Sequence, residues 1–204
     1  MKEPIIPEGT STTFADYFKL TADIEDILAC FGYSYHAEIC ELPRGPFDES
    51  RLADIRSQFA TVLPYIALTT EIARREFLIA PVLMEVVRQT HAKLKVEYPL
   101  EVEERLKGTL DYLLRAEHNL LVVEAKQADL QKGFIQLAVE LVALDRWAED
   151  SPEPRLYGAV STGDVWKVGF VDRAEKRVVE DLNTYSVPTD VEDIVRILVT
   201  LLKA

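Results

Sequence analysis

Leu120-Leu121-Val122-Val123-Glu124-Ala125 constrains the fold more tightly than any other stretch of the sequence. The run is apolar apart from Glu124, has two valines at its centre and is too short for a core helix. Such a run suits a central strand covered on both faces. Glu124 stands near its end and Lys126 follows directly. Charged groups at the end of an apolar strand are costly to bury. Residues two apart on a strand point to the same face, so this carboxylate and ammonium share one small area.

The flanking pattern supplies the partners such a strand needs. Residues 14–29 read as a helix, with Phe14, Tyr17, Phe18, Ile24, Ile27 and Leu28 as its apolar positions. Tyr33 to Leu42 alternates as a strand, and Pro43, Gly45 and Pro46 then break the chain. A helix is predicted from about Glu49 to Val62 and another from near Thr69, which Pro81 kinks or restarts. Strands follow over Leu100–Leu106 and Leu110–Leu114, with Gly108 between them, and Glu117-His118-Asn119 suits a hairpin turn into the apolar run. Asp129 is a natural N-cap for a long helix to about Glu149. Leu156–Ser161 and Val165–Val171 read as strands around Thr162-Gly163-Asp164, and Arg177–Asp181 as one more. Thr189 with Glu192 makes a capping box for a last helix carrying Ile194, Ile197, Leu198 and Leu201, a stripe suited to the core or to a dimer contact. A mixed sheet flanked by helices follows, an α/β (α+β) fold.

The sequence shows no internal repeat and no Gly/Ser linker. One domain is therefore expected: an extension over 1–68 packed on a core over 69–172, then a strand and C-terminal helix over 173–204. Residues 1–13 read as a poorly ordered tail. No run of about 18 apolar residues suggests a membrane span. Met1-Lys2-Glu3-Pro4 lacks the features of a secretory signal, so a cytoplasmic protein is the expectation. Cys30 and Cys40 fit neither a CxxC metal site nor a disulfide framework, and read as reduced thiols. The net charge of -12 disfavours broad, nonspecific nucleic-acid binding. A bound cation at a small site would offset that balance locally.

Chemistry concentrates on Asp111 and on Glu124-Ala125-Lys126. If the strands pair around the predicted hairpin, Asp111 lies roughly opposite Glu124. Two carboxylates and the Ala125 backbone carbonyl then offer hard oxygen ligands to Mg²⁺, with Mn²⁺ as a substitute. Lys126 is placed to hold or help deprotonate a water and to stabilise charge on a phosphate.

This arrangement resembles the PD-(D/E)XK nuclease superfamily, which includes restriction endonucleases, Holliday-junction resolvases and several repair nucleases. Its core of helix, three strands, helix and strand is similar to the order read above, so a restriction endonuclease-like fold is implied. Asp111 matches the superfamily's first acid and Glu124-Ala125-Lys126 its E-x-K. The resemblance also implies site roles for Glu71, on the first core helix, and for Gln136, on the helix after E-x-K. Leu156 to Trp166 resembles a strand–turn–strand of restriction-subunit-like members. The likeness covers roughly residues 69–172, residues 1–60 add nothing to it, and Leu110 stands where the superfamily's nominal proline would be. A homodimer is compatible with it.

Simpler readings stand beside each candidate. Glu124 and Lys126 can be a structural pair on a hairpin. Glu71 can pair with Arg75 at the i+4 spacing, and Glu85, Glu103 and Glu104 are rival acids. Gln136 can lie on the polar side of its helix, and Gln127 and Lys132 in a solvated loop. His36, His91 and His118 show no metal-ligand spacing, and His118 suits a solvated turn. No nucleophile elbow, Walker-type loop or dinucleotide fingerprint occurs. The leading expectation is a Mg²⁺-dependent nuclease acting on DNA. The alternatives are a nuclease-fold module with little or no activity, serving binding or assembly, and a nuclease acting on RNA.

Overall fold

The computed structural model describes residues 11–46, 49–117, 119–126 and 129–203. Within them eight strands form one mixed sheet: β1 (Ser34–Glu38), β2 (Lys93–Glu103), β3 (Leu106–Arg115), β4 (Leu120–Ala125), β5 (Arg155–Ser161), β6 (Val165–Asp172), β7 (Arg177–Asp181) and the short β8 (Tyr185–Ser186). The order across the sheet is β1-β7-β6-β5-β4-β3-β2, with β8 on β6. β4 pairs antiparallel with β3 and parallel with β5, and β1 runs parallel to β7.

The helices are α1 (Phe14–Tyr17), α2 (Ile24–Ala29), α3 (Glu49–Val62), α4 (Glu71–Arg74), α5 (Ala80–Thr90), α6 (Leu130–Trp147) and α7 (Val191–Lys203). They lie on both faces of the sheet. Along β4, Leu121, Val123 and Ala125 enter the core that holds α5 and α7, while Leu120 and Val122 enter the core that holds α1, α2 and α6. An apolar strand with no polar face is what this double cover requires. The stripe Ile194, Ile197, Leu198 and Leu201 of α7 fills the first of these cores. No helix among the described residues is long and apolar enough to cross a membrane.

Several expectations change. The helix expected over 14–29 is two, because Asp23 adopts an extended backbone as N-cap and starts α2 afresh. Residues 12 and 13, expected in a loose tail, are tied down: the Thr12 N–H donates to the Glu104 carbonyl at 3.0 Å, and Thr13 bridges to Lys107. The first hairpin turns at Glu104-Arg105 rather than at Gly108, which lies inside β3 at φ 148°. A Cβ on Gly108 would meet Phe14 Cδ2 at 2.8 Å, so this glycine marks close packing of α1 on β3. α7 begins at Val191, one residue later than a Thr189 cap would place it. Pro81 sits in the first turn of α5, after a π-helical turn over Arg75–Ile79 that joins α4 to α5. Cys30 and Cys40 are both free thiols, Cys30 being exposed.

Candidate active site

β3 and β4 pair from Arg115–Leu120 as far as Tyr112–Val123, and there the ladder stops. Asp111 is the next residue of β3. Its Oδ2 accepts the backbone N–H of Ala125 at 2.8 Å, so the carboxylate takes the place of a ladder carbonyl where the strands part. β4 stays in register with β5 to Ala125–Ser161, and the Lys126 N–H donates to the Ser161 carbonyl at 2.8 Å. The corner is thus fixed from both sides.

Glu124 shares the face of Leu120 and Val122 and points toward α6. It is 1% exposed. Its Oε1 accepts from Lys126 Nζ and, at 2.7 Å, from Gln136 Nε2. The two charges are on one face, as their spacing predicts, and they bond to each other. Lys126 Nζ also lies 5.1 Å from the centre of the Phe18 ring. Gly133 lets the lysine stem pass: a Cβ there would lie 3.0 Å from Lys126 Cγ and 2.8 Å from Val160 Cγ2. α6 is held in place by Asp129, whose side chain accepts the Lys132 N–H at 3.0 Å.

Burial, followed by the Asp111 carboxylate, pushes the Glu124 pKa up to about 7 against the opposing pull of Lys126. Burial alone would lower Lys126, but the charge and hydrogen bond of Glu124, together with the Asp111 and Glu140 carboxyls, outweigh it and hold the ammonium above its usual value. Behind them lies Glu140, fully buried, with Oε1 accepting from Gln136 Nε2 at 2.8 Å. Its carboxyl is pushed well above the usual range by burial and then by Glu124. Glu124 Oε2, Glu140 Oε2 and Gln136 Oε1 are buried without a donor among the described residues. In the metal-free protein a proton shared by these two neighbouring carboxyls would satisfy their free oxygens, and a cation at Glu124 would take its place.

Arg75 closes the other side. Its Nη1 is 3.5 Å from Asp111 Oδ1, its Nη2 is 2.6 Å from Glu97 Oε1, and its Nε donates to Tyr112 Oη at 3.3 Å. The Arg75 guanidinium thus pairs with Glu97 and Asp111 and not with Glu71, the simpler reading of that glutamate. The Glu71 side chain makes no hydrogen bond or ion pair with a described residue, and only its backbone carbonyl is engaged, accepting the Arg75 N–H. Glu71 stands one turn before Arg75, at the start of α4. Arg74 ties α4 to the β5–β6 turn through the Thr162 carbonyl at 2.9 Å and Asp164 Oδ1 at 2.7 Å.

The structure brings together Asp111, Glu124, Lys126 and Gln136. The rival acids are engaged elsewhere: Glu85 with Gln89, Glu103 with Arg146 and Glu104 with Lys107. Lys132 lies 3.9 Å from Asp129 at the surface. Gln127 and His118 fall outside the described residues. The sequence marks neither Arg75 nor Glu140 as a site residue. The i+4 spacings from Glu71 and from Gln136 were the available signals.

Among the described residues no group of three or more His, Cys, Asp or Glu side chains has the arrangement to hold a metal ion. Asp111, Glu124 and the Ala125 carbonyl fall below that number. Mg²⁺ is commonly held by one or two carboxylates, with water and substrate oxygens completing its shell. The donor set is all hard oxygen, and Glu124 Oε2 is an orphaned acceptor within it. These residues fit a Mg²⁺ ion.

The chain is a mixed α/β protein with its charged corner at the parting of two central strands. No family model, curated protein or solved structure matches it.

Proposed function

We propose that this protein is a Mg²⁺-dependent nuclease with a restriction endonuclease-like core, and that DNA is its substrate. The observation that carries the reading is the convergence of Asp111, Glu124 and Lys126, with Gln136 behind them, where β3 and β4 part. The order of α4–α5, β2, β3, β4, α6 and β5 supports it further. Asp111, Glu124 and the Ala125 carbonyl would hold the metal. When bound, Mg²⁺ supplies an activated water and neutralises charge at the scissile phosphate.

The chain's own residues do the rest. Asp111 holds the parted strand ends at a fixed separation. Gln136 fixes Glu124. Lys126 remains an ammonium at neutral pH, with three donors and no acceptor. It therefore orients a phosphate oxygen and stabilises its charge, and it does not take a proton from water. Arg75, beside Asp111, adds a second cation at the same edge.

Asp111→Asn tests the reading cleanly, because the amide oxygen still accepts the Ala125 N–H while the charge is lost. Cleavage of plasmid, linear, single-stranded and branched DNA, and of RNA, is measured with Mg²⁺ and with EDTA. The wild type cuts DNA only with the metal, and the variant's rate is lower by at least about 10²-fold. Equal rates for the two proteins would sink the proposal.

Gly133→Ala probes the seat of Lys126. Alanine gains up to about 1 kcal/mol in helix propensity, but its methyl meets buried Val160 as well as the lysine stem, an overpacking that offsets the gain. We expect a melting temperature within a few degrees of wild type and cleavage about tenfold to a hundredfold slower. A wild-type rate would mean that the lysine's path past α6 is not needed.

A further inference from the structure

We propose that Glu140 is a positioning residue of this site: by holding Gln136 it fixes the Glu124 carboxylate in the orientation that binds metal. The inference rests on the nuclease reading and extends it to a residue that touches neither metal nor substrate. Gln136 and Glu140 are four apart on α6 and so share the helix face turned to β4. One amide nitrogen, Gln136 Nε2, is bonded at 2.7 Å to Glu124 Oε1 and at 2.8 Å to Glu140 Oε1. Both of its hydrogens are spent on carboxyl oxygens, so the amide cannot turn without losing one. Gln136 is 3% exposed, Glu140 0% and Glu124 1%, so no solvent competes for these bonds.

A carboxyl group at position 140 is otherwise hard to explain. Its neighbours Val139, Leu141 and Leu144 are all core residues, so packing alone would favour an apolar side chain there. A buried carboxyl costs several kcal/mol unless bonded, so its presence points to the bonds it makes. Among the described residues those bonds lead to Gln136 and, through it and the neighbouring carboxyl, to Glu124. Outer partners of a metal-binding carboxylate commonly set its affinity by about 10- to 100-fold.

The test uses wild type, Glu140→Met, Glu140→Gln and Gln136→Met, with Mn²⁺ binding followed by electron paramagnetic resonance and metal-free crystal structures of each. Methionine fills the space without an acceptor, and the amide of glutamine keeps one. Glu140→Met and Gln136→Met are each expected to bind Mn²⁺ about tenfold more weakly, with Glu124 turned away from Lys126. Combining the two adds little, because they break one bridge. Glu140→Gln recovers most of the lost affinity. Wild-type affinity together with an unmoved Glu124 in Glu140→Met overturns the inference. If wild type itself binds no Mn²⁺, the nuclease reading falls. The position of Glu124 in the methionine variants then decides the role of Glu140 by itself, displacement supporting it and an unmoved side chain overturning it.

Discussion

Lys126→Met is expected to slow Mg²⁺-dependent DNA cleavage by about 10²- to 10³-fold while leaving Mn²⁺ binding within a fewfold of wild type. The separation follows from what each atom does. On the proposed reading the metal is held by Asp111, Glu124 and the Ala125 carbonyl, none of which the substitution removes. The ammonium is 15% exposed at the side chain, bonded to Glu124 and held charged by it. A fixed cation in a part-buried site stabilises developing phosphate charge far better than one in water. Methionine matches the stem that runs past Gly133 but carries no charge. The same titration on Asp111→Asn should show binding lost along with cleavage. Should Lys126→Met cut DNA at the wild-type rate, the lysine is a structural partner of Glu124 and nothing more.

The sequence carried the centre of this site further than its surroundings. β4 was legible because a strand covered on both faces needs an unbroken apolar run, and only two charges interrupt or end it. The same run made Glu124 and Lys126 conspicuous, and the short hairpin set Asp111 against them. Gln136 came only through likeness to a nuclease pattern, since a glutamine in a helix ordinarily faces water. Glu140 was hidden for that reason too: its spacing from Gln136 is visible, but its burial is a property of the packed sheet. Gly108 misled because glycine marks both turns and close approach. Here Phe14, far away in the chain, occupies the space its Cβ would need. The parallel pairing of β1 with β7 joins Ser34 to Arg177, a contact between distant segments that no local pattern reports.

Two buried carboxyls facing one another should also leave a mark on stability. In the metal-free protein Glu124 is raised to about 7, and Glu140 is raised as well, each by burial first. In the unfolded chain both return to the ordinary carboxyl value near 4.5. Between these values the folded state binds protons that the unfolded state has released. Stability from this pair is therefore complete below the unfolded value and is lost as pH rises through the folded one. One pKa unit corresponds to about 1.4 kcal/mol, so the Glu124 shift alone amounts to on the order of 3 kcal/mol across the full window. Urea unfolding in EDTA at pH 5.5 and pH 8 measures the loss. Surface carboxylates titrate in wild type and variants alike, so the comparison that isolates the pair is with Glu140→Gln. That variant removes one charge and gives Glu124 a neutral neighbour. Its stability should fall less between the two pH values, and at pH 8 it should exceed wild type. Parallel pH dependence in the two proteins would mean that the carboxyls do not share a proton, and that each finds its compensation elsewhere.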